Sequence, residues 1–277
     1  MKIENVGLLF MPADQYHAHP AVGHSGLVRI MRSPAHYQEY VSNPPEPTPA
    51  MQLGTAFHTA LLEHDRFSQT FVAAPKFDRR TKEGKAAAEV WETENAGKTA
   101  IPADQMAAIE QMVASVRAHQ GAANLLASGQ AEMSGFWIDQ DTGIECKCRP
   151  DYFQVDGGVQ HVVDIKTTTD ASADGFARAI ATMGYDVQAA LYVDGIQAIT
   201  GVKTHFFFIA VEKEAPFAVA AYKASDEVIE VGRAKYRGAL QLLKWCRENG
   251  CWPAYQPNGE VETINLPRWA ANFDLEG

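Results

Sequence analysis

Residues 148–169, CRPDYFQVDGGVQHVVDIKTTT, decide the fold. β-Branched and aromatic residues flank the turn Asp156-Gly157-Gly158, so 144–155 and 159–168 read as successive strands. Residues 133–139 alternate apolar and polar before the turn DQDTG and give the first strand of the same β-meander. Asp164 and Lys166 stand two residues apart, so both side chains leave one face of the sheet, while Ile165 between them points into the core. Asp151 lies on the neighbouring strand, just after Pro150.

These groups suit one kind of chemistry. Hydrolysing a phosphodiester near neutral pH needs a hard cation to polarise the phosphate and acidify a water. Carboxylate oxygens suit Mg²⁺ or Mn²⁺. A lysine two residues beyond an acid can orient the attacking water or stabilise developing charge. Plainer readings stand beside these: Asp164 as the salt-bridge partner of Lys166, and Asp151 as a turn residue after proline.

Towards the N-terminus the pattern turns helical. Ser25 is placed to cap a short helix through Arg32, and Ser33-Pro34 restarts another, with serine at the N-cap and proline at N1. SNPPEPTP (42–49) is a loop, because its prolines forbid helix. Leu53, Phe57 and Leu61 recur at i, i+4 and i+8 and place a helix over 53–64. A basic loop around Arg79 leads to a helix over 86–94, and 102–127 is a further amphipathic helix. Beyond the meander come helices over 173–183 and 187–199, a buried strand over 204–211 and its partner over 218–223. A long helix over 225–248 is capped by Ser225. Phe206, Phe207 and Phe208 read as core, not as a base-stacking platform. The expected class is α/β (α+β), a mixed central sheet flanked by helices. One domain spans 1–277: a mostly helical part (1–128), an αβ core (129–250) and a tail (251–277).

Composition narrows the class further. With 46% hydrophobic and 21% charged residues, the chain is ordinarily globular and long enough for a sizeable core. No apolar run approaches the ~18 residues of a transmembrane helix. MKIENVGLLFMPADQ lacks the features of a signal peptide. The expectation is a cytoplasmic protein without a membrane partner. A net charge of -10 argues against nucleic-acid binding unless positive charge is concentrated somewhere. Residues 76–85 concentrate it: Lys76, Arg79, Arg80, Lys82 and Lys85 outnumber Asp78 and Glu83. Arg79, Arg80 and Lys85 are candidates for phosphate contacts, or else form a solvated loop. Arg29 and Arg32 are candidates for a 5′-phosphate pocket. Cys146, Cys148, Cys246 and Cys251 fall in C-x-C and C-x4-C spacings, unlike those of iron–sulfur sites. Reduced, partly buried thiols are expected, not a cluster.

Several stretches together resemble a known family. Pro150-Asp151 followed by Asp164-x-Lys166 looks like the signature of PD-(D/E)XK nucleases. LGTAFHTALLE (53–63) resembles the G-x-x-x-H-x-x-L segment of RecB-type nucleases, and Gln188 and Tyr192 in YDVQAALY (185–192) match their Q-x-x-x-Y helix. SGLVRIMRSPAHY (25–37) and KFDRRTKEGKAA (76–87) are similar to the exonuclease VIII (RecE-type) branch. The resemblance implies a restriction-endonuclease-like core with a helical N-terminal extension. It implies a metal held by His58, Asp151, Asp164 and the backbone carbonyl of Ile165, with Lys166 catalytic. Glu132 matches an acidic position of the superfamily, as a ligand, a supporting residue or a solvated one. Gln188 and Tyr192 are implied to contact DNA near the site. A hydrogen-bonded core histidine and plain core packing are the bland readings of His58 and of the Gln188–Tyr192 pair.

The implied activity is Mg²⁺-dependent digestion of linear double-stranded DNA from 5′ ends, in phage-type recombination. A homo-oligomeric ring, with a tetramer favoured, and a single-strand annealing partner go with it. Two other readings stand beside this one. A PD-(D/E)XK endonuclease acting on structured DNA would share the same site. A nuclease-fold protein that only binds would not need His58, Asp151, Asp164 and Lys166 all filled with competent residues.

Overall fold

The computed structural model describes residues 7–256 and 258–267; positions 1–6 and the end of the expected tail, 268–277, lie outside the described residues. Strand β1 (Gly7–Phe10) and helix α1 (Ala13–Ala18) lead into α2 (His24–Arg32). The N-cap of α2 is Gly23, not Ser25, and no side chain caps it. Ser33 does cap α3 (Pro34–Ser42), accepting from the His36 amide with Pro34 at the first position. Helix α4 (Pro49–Leu62) starts ahead of Leu53, because the Thr48 hydroxyl accepts from the Met51 amide and Pro49 fits the first turn.

Helix α5 (His64–Thr70) and strand β2 (Phe71–Ala74) precede the basic segment. Helix α6 (Lys82–Glu94) takes in Lys85, since Thr81 caps it ahead of the expected start. Strand β3 (Thr99–Pro102) pairs in parallel with β2. The helix expected over 102–127 is two helices, α7 (Ala103–Ala118) and α8 (Gln120–Leu125). They part at His119, whose extended backbone lets Nδ1 accept from the Ala122 amide.

Then come β4 (Gln130–Ala131), β5 (Met133–Ile138), β6 (Glu145–Cys148), β7 (Tyr152–Asp156) and β8 (Val159–Thr168). Helices α9 (Ala173–Met183) and α10 (Tyr185–Thr200) cross over to β9 (Thr204–Glu212), which β10 (Val219–Lys223) and α11 (Asp226–Asn249) follow. The main sheet has the order β10-β9-β8-β7-β4; β1-β5-β6 form a smaller one. Only the β8–β9 pair of the main sheet is parallel, as its helical crossover requires.

The strand expected over 144–155 is interrupted. Cys148 pairs with Gly135 and Tyr152 with Ala131, so one register continues across the break. Pro150 has no N–H to give the ladder. On the facing strand Glu132 adopts a left-handed φ of 57° and donates its amide to the Asp151 carbonyl. The sheet therefore opens where the candidate acids stand.

Two apolar layers enclose the main sheet. Val162, Phe206 and Phe208 pack with Leu191 of α10 and Leu240 of α11. Val163, Ile165 and Ile209 face the other way, onto Phe57 of α4 and Met112 of α7. Strand alternation puts Phe207 in the second layer, so the phenylalanine run is core on both faces. Each fully buried side chain of this kind contributes about 1.5–3 kcal/mol. Asp164 and Lys166 share the Val162 face, which α10 covers. Among the described residues no helix is long and apolar enough to cross a membrane.

Candidate active site

Asp151 stands at the interruption, one residue before β7. The β7–β8 ladder ends at Tyr152 and Val163, and the next free amide, that of Ile165, donates to Asp151 Oδ2 at 2.6 Å. In a strand the N–H and C=O of one residue point to the same side, so the Ile165 carbonyl also faces Asp151. Asp151 Oδ1 lies 3.5 Å from His58 Nδ1. His58 leaves α4 beside the fully buried Phe57, yet its side chain is 23% exposed and opens to solvent.

Glu132 completes the cluster. His58, Glu132 and Asp151 each bring a ligand atom within 4.8 Å of the others. Two carboxylates and one imidazole fit a divalent cation. Arg149 orients Glu132: its Nε donates to Glu132 Oε2 at 2.5 Å, and its Nη1 donates to the Met11 carbonyl and the Ser134 hydroxyl.

Asp164 does not belong to this trio, which departs from the expected ligand set. It is 1% exposed; Oδ1 is hydrogen-bonded, while Oδ2 has only the Lys166 ammonium as an ion-pair neighbour and no hydrogen-bond partner among the described residues. Oδ1 accepts from Gln188 Nε2 at 2.6 Å, and Oδ2 lies 2.7 Å from Lys166 Nζ. The ammonium of Lys166 also sits 4.7 Å above the Tyr185 ring. The salt bridge anticipated as the bland reading is thus present, immediately beside the trio.

The electrostatics separate the two aspartates. Burial pushes the Asp164 carboxyl up to about 6; Lys166 opposes the rise and Asp151 adds to it. Burial would raise Asp151 as well, but His58, Lys166 and the Ile165 amide outweigh it and hold that carboxyl below its usual range. Burial would lower His58 and Lys166; carboxylates outweigh it and raise both, Asp151 acting on His58 and Asp164 with Asp151 on Lys166. Glu132 is raised by burial and by Asp151, against Arg149. One readily ionised acid beside one reluctant acid is an arrangement that divides ligand and proton-transfer roles.

The remaining expectations fare differently. Gln188 and Tyr192, expected to contact DNA, are buried in α10: Gln188 spends its amide on Asp164, and Tyr192 packs edge-on against Phe206. Arg29 lies over the Tyr40 ring and Arg32 Nε donates to the Tyr255 hydroxyl, both at the C-terminal end of α2. It is the opposite end of α2 that approaches the site, where His24 Nε2 bonds the Gly184 carbonyl next to Tyr185. Arg79 and Arg80 are exposed but paired within the chain, with Glu92 and Asp78, while Lys85 is exposed on α6. Among the described residues no contact joins Arg29, Arg32, Arg79, Arg80 or Lys85 to the acids. All four cysteines are free; Cys146, Cys148 and Cys246 are buried and Cys251 is exposed. Burial pushes the Cys146 thiol up to about 12. Arg149 and Tyr185 are the site residues that sequence reasoning missed. Arg149 adjoined the Pro150-Asp151 motif, and Tyr185 opened the quoted YDVQAALY helix, so both were in view without an assigned partner.

Residues 23–267 match the family described as "PDDEXK-like domain of unknown function (DUF3799)". The crystal structure of a "Putative exonuclease" from Eubacterium rectale superposes with a TM-score of 0.63 at 13% identity, covering 96% of this chain and 100% of that one. At such identity the likeness speaks for the fold alone. The structure of SSO0001, at 14% identity over 70% of this chain and 88% of that one, reaches a TM-score of only 0.29 and carries no argument. No curated protein sequence matches. Strand β1 and helix α1 precede the matched region. They are tied to it by Arg149 and by Lys147, whose Nζ donates to the carbonyls of Tyr16 and His19 at 2.7 Å each.

Proposed function

The chain belongs to the PDDEXK-like family DUF3799, and from that membership we propose that it is a divalent-metal-dependent exodeoxyribonuclease acting on linear double-stranded DNA, 5′ to 3′. One observation carries the reading: the His58–Glu132–Asp151 trio lies beside a buried Asp164–Lys166 pair at an interruption of the sheet. His58, Glu132 and Asp151, with the Ile165 carbonyl, are the residues that would hold Mg²⁺ or Mn²⁺. Such a cation would supply charge neutralisation at the phosphate and a more acidic water. Lys166, steadied by Asp164 and the Tyr185 ring, offers its ammonium to charge developing on the phosphate oxygens. Asp164 acts through Lys166, holding that ammonium in place by the ion pair. Gln188 and Arg149 act through these groups, holding Asp164 and Glu132 in place.

The exonuclease reading draws on the RecE-type resemblance of 25–37 and 76–87 and on the printed name of the Eubacterium rectale protein. The same resemblance supports a ring of identical chains, a tetramer by preference, working with a single-strand annealing protein in phage-type recombination. A ring would also reconcile the net charge of -10 with DNA binding, by gathering cations from several copies around one duplex. The test is a linear duplex labelled separately at each 5′ and 3′ end, beside a closed circular plasmid, in Mg²⁺. The expected result is early release of the 5′ label with the plasmid intact. Linearised or nicked plasmid at the same enzyme concentration overturns the exonuclease assignment.

A further inference from the structure

Alternation along β8 places Thr168 on the same face as Asp164 and Lys166. At the strand's rise it lies roughly 6–7 Å beyond Lys166, on the scale of one nucleotide step. A cavity of about 310 Å³ opens there, between the end of β8, helix α9 and the start of the β9–β10 connection. Its wall carries two cations, Arg178 and Lys213, and Tyr185, the ring on which Lys166 rests.

The two cations differ from those around them. Arg149 is spent on Glu132, Lys147 on backbone carbonyls and Lys166 on Asp164. Neither Arg178 nor Lys213 enters an ion pair or a side-chain hydrogen bond among the described residues. Asp170, the acid of the wall, is turned into its own loop, where Oδ1 accepts from the Ser172 amide. Beyond that Ser172 bond, Arg178 helps to hold the Asp170 carboxyl below its usual range, but neither cation is tied up in an ion pair. A concave wall with unspent positive charge focuses potential onto whatever enters. In a chain of net charge -10 such a place stands out.

The hydroxyls indicate how an occupant would be read. Thr168 donates to the Asp170 carbonyl and Thr182 to that of Arg178, so both protons are committed to backbone. The cations, with the hydroxyls of Thr167, Thr169 and Tyr185 that also line the cavity, suit backbone phosphates and carry no base information. We propose that this groove is the track of the cleaved strand, with Arg178 and Lys213 neutralising the phosphates next along from the one cut beside Lys166. The proposal rests on the reading of the chain as a DNA nuclease and deepens it. It also relocates strand contacts from the Arg79–Arg80 loop, whose charges are paired in the chain, to the flank of the site.

The test measures equilibrium binding of a fluorescent linear duplex with a single-stranded end, in EDTA, by anisotropy at several salt concentrations. Arg178→Gln with Lys213→Gln keeps most of the side-chain bulk, and a thermal melt checks folding. The expected result is a Kd about tenfold weaker at low salt. The slope of log K against log salt should fall by about 1.4–1.8, two phosphates at 0.7–0.9 each. Lys213→Gln alone should give half that change in slope and serves if the double variant unfolds. Arg79→Gln with Arg80→Gln should change the slope by less. A slope equal to that of the wild type, or a wild type that does not bind, overturns the groove. Cleavage in Mg²⁺ is scored separately. An unchanged slope with cleavage intact removes the groove and leaves the nuclease. A reduced slope without cleavage leaves the groove and removes the nuclease.

Discussion

Replacing Asp164 by asparagine keeps the side chain's shape and removes its charge. The carboxyl is 1% exposed, and burial moves it from 3.8 to about 6 even with Lys166 beside it. At about 1.4 kcal/mol per tenfold change in proton affinity, ionising Asp164 costs roughly 3 kcal/mol more in the fold than in the unfolded chain. The sign follows from the raised value. Below pH 4 the acid is protonated in both states and the cost is absent; the cost grows through the interval and is complete above pH 6. The ion pair with Lys166 is already contained in that figure, and asparagine can still accept from Gln188. The stability of Asp164→Asn relative to the wild type should therefore rise by roughly 3 kcal/mol between pH 4 and pH 7. In melting temperature that is about 5 °C for a chain of this size. Thermal melts of both proteins in metal-free buffer at half-unit pH intervals read it directly. Two curves that stay parallel from pH 4 to pH 7 would show that Asp164 ionises without penalty, and the burial argument for its role would fail. Cleavage by the variant should be lost at every pH.

Lys166→Ala should lower turnover on linear duplex by about 10²-fold or more in single-turnover assays, because a positioned donor to developing charge is removed; turnover at the wild-type rate rules that role out. Arg149→Met frees Glu132 and should raise the Mg²⁺ concentration for half-maximal cleavage by roughly 10-fold, with little change in KM for DNA and partial rescue by Arg149→Lys. An unchanged Mg²⁺ titration would make Arg149 merely structural. Light scattering at micromolar concentration should give a mass several times 30.3 kDa if the ring reading holds, and a monomer that degrades long duplex without releasing it would remove it.

Periodicity made the core legible. The β8 alternation of Val162, Asp164 and Lys166 against Val163 and Ile165 sorts the two layers as the sequence implies, and α10, α11 and β9 lie close to their expected bounds. Helix starts were misplaced where a polar cap outranked the apolar period, as with Thr48 and Thr81. The parallel β2–β3 pair was invisible because each strand is short and lacks alternation. In the site, motif spacing put Asp164 and Lys166 on one strand and Asp151 at the start of its neighbour, and the fold sets the three side by side. What spacing could not supply was partnership. Gln188 and Tyr192 fall on one helical face, but only the fold shows that face buried against Asp164 and Phe206. Glu132 enters the trio through a left-handed backbone at an interruption, which no propensity foretells. Asp78 was in view beside Arg80, but the pairing of Arg79 with Glu92, one helix further on, was not.

Release of acid-soluble nucleotides from linear duplex DNA tests the central claim most directly, with wild type and Asp151→Asn each assayed in Mg²⁺ and in EDTA. Asp151 touches His58 and the Ile165 amide and lies in the electrostatic neighbourhood of Lys166. The account expects release only by the wild type and only in Mg²⁺. Equal release in EDTA, or undiminished release by Asp151→Asn, contradicts it.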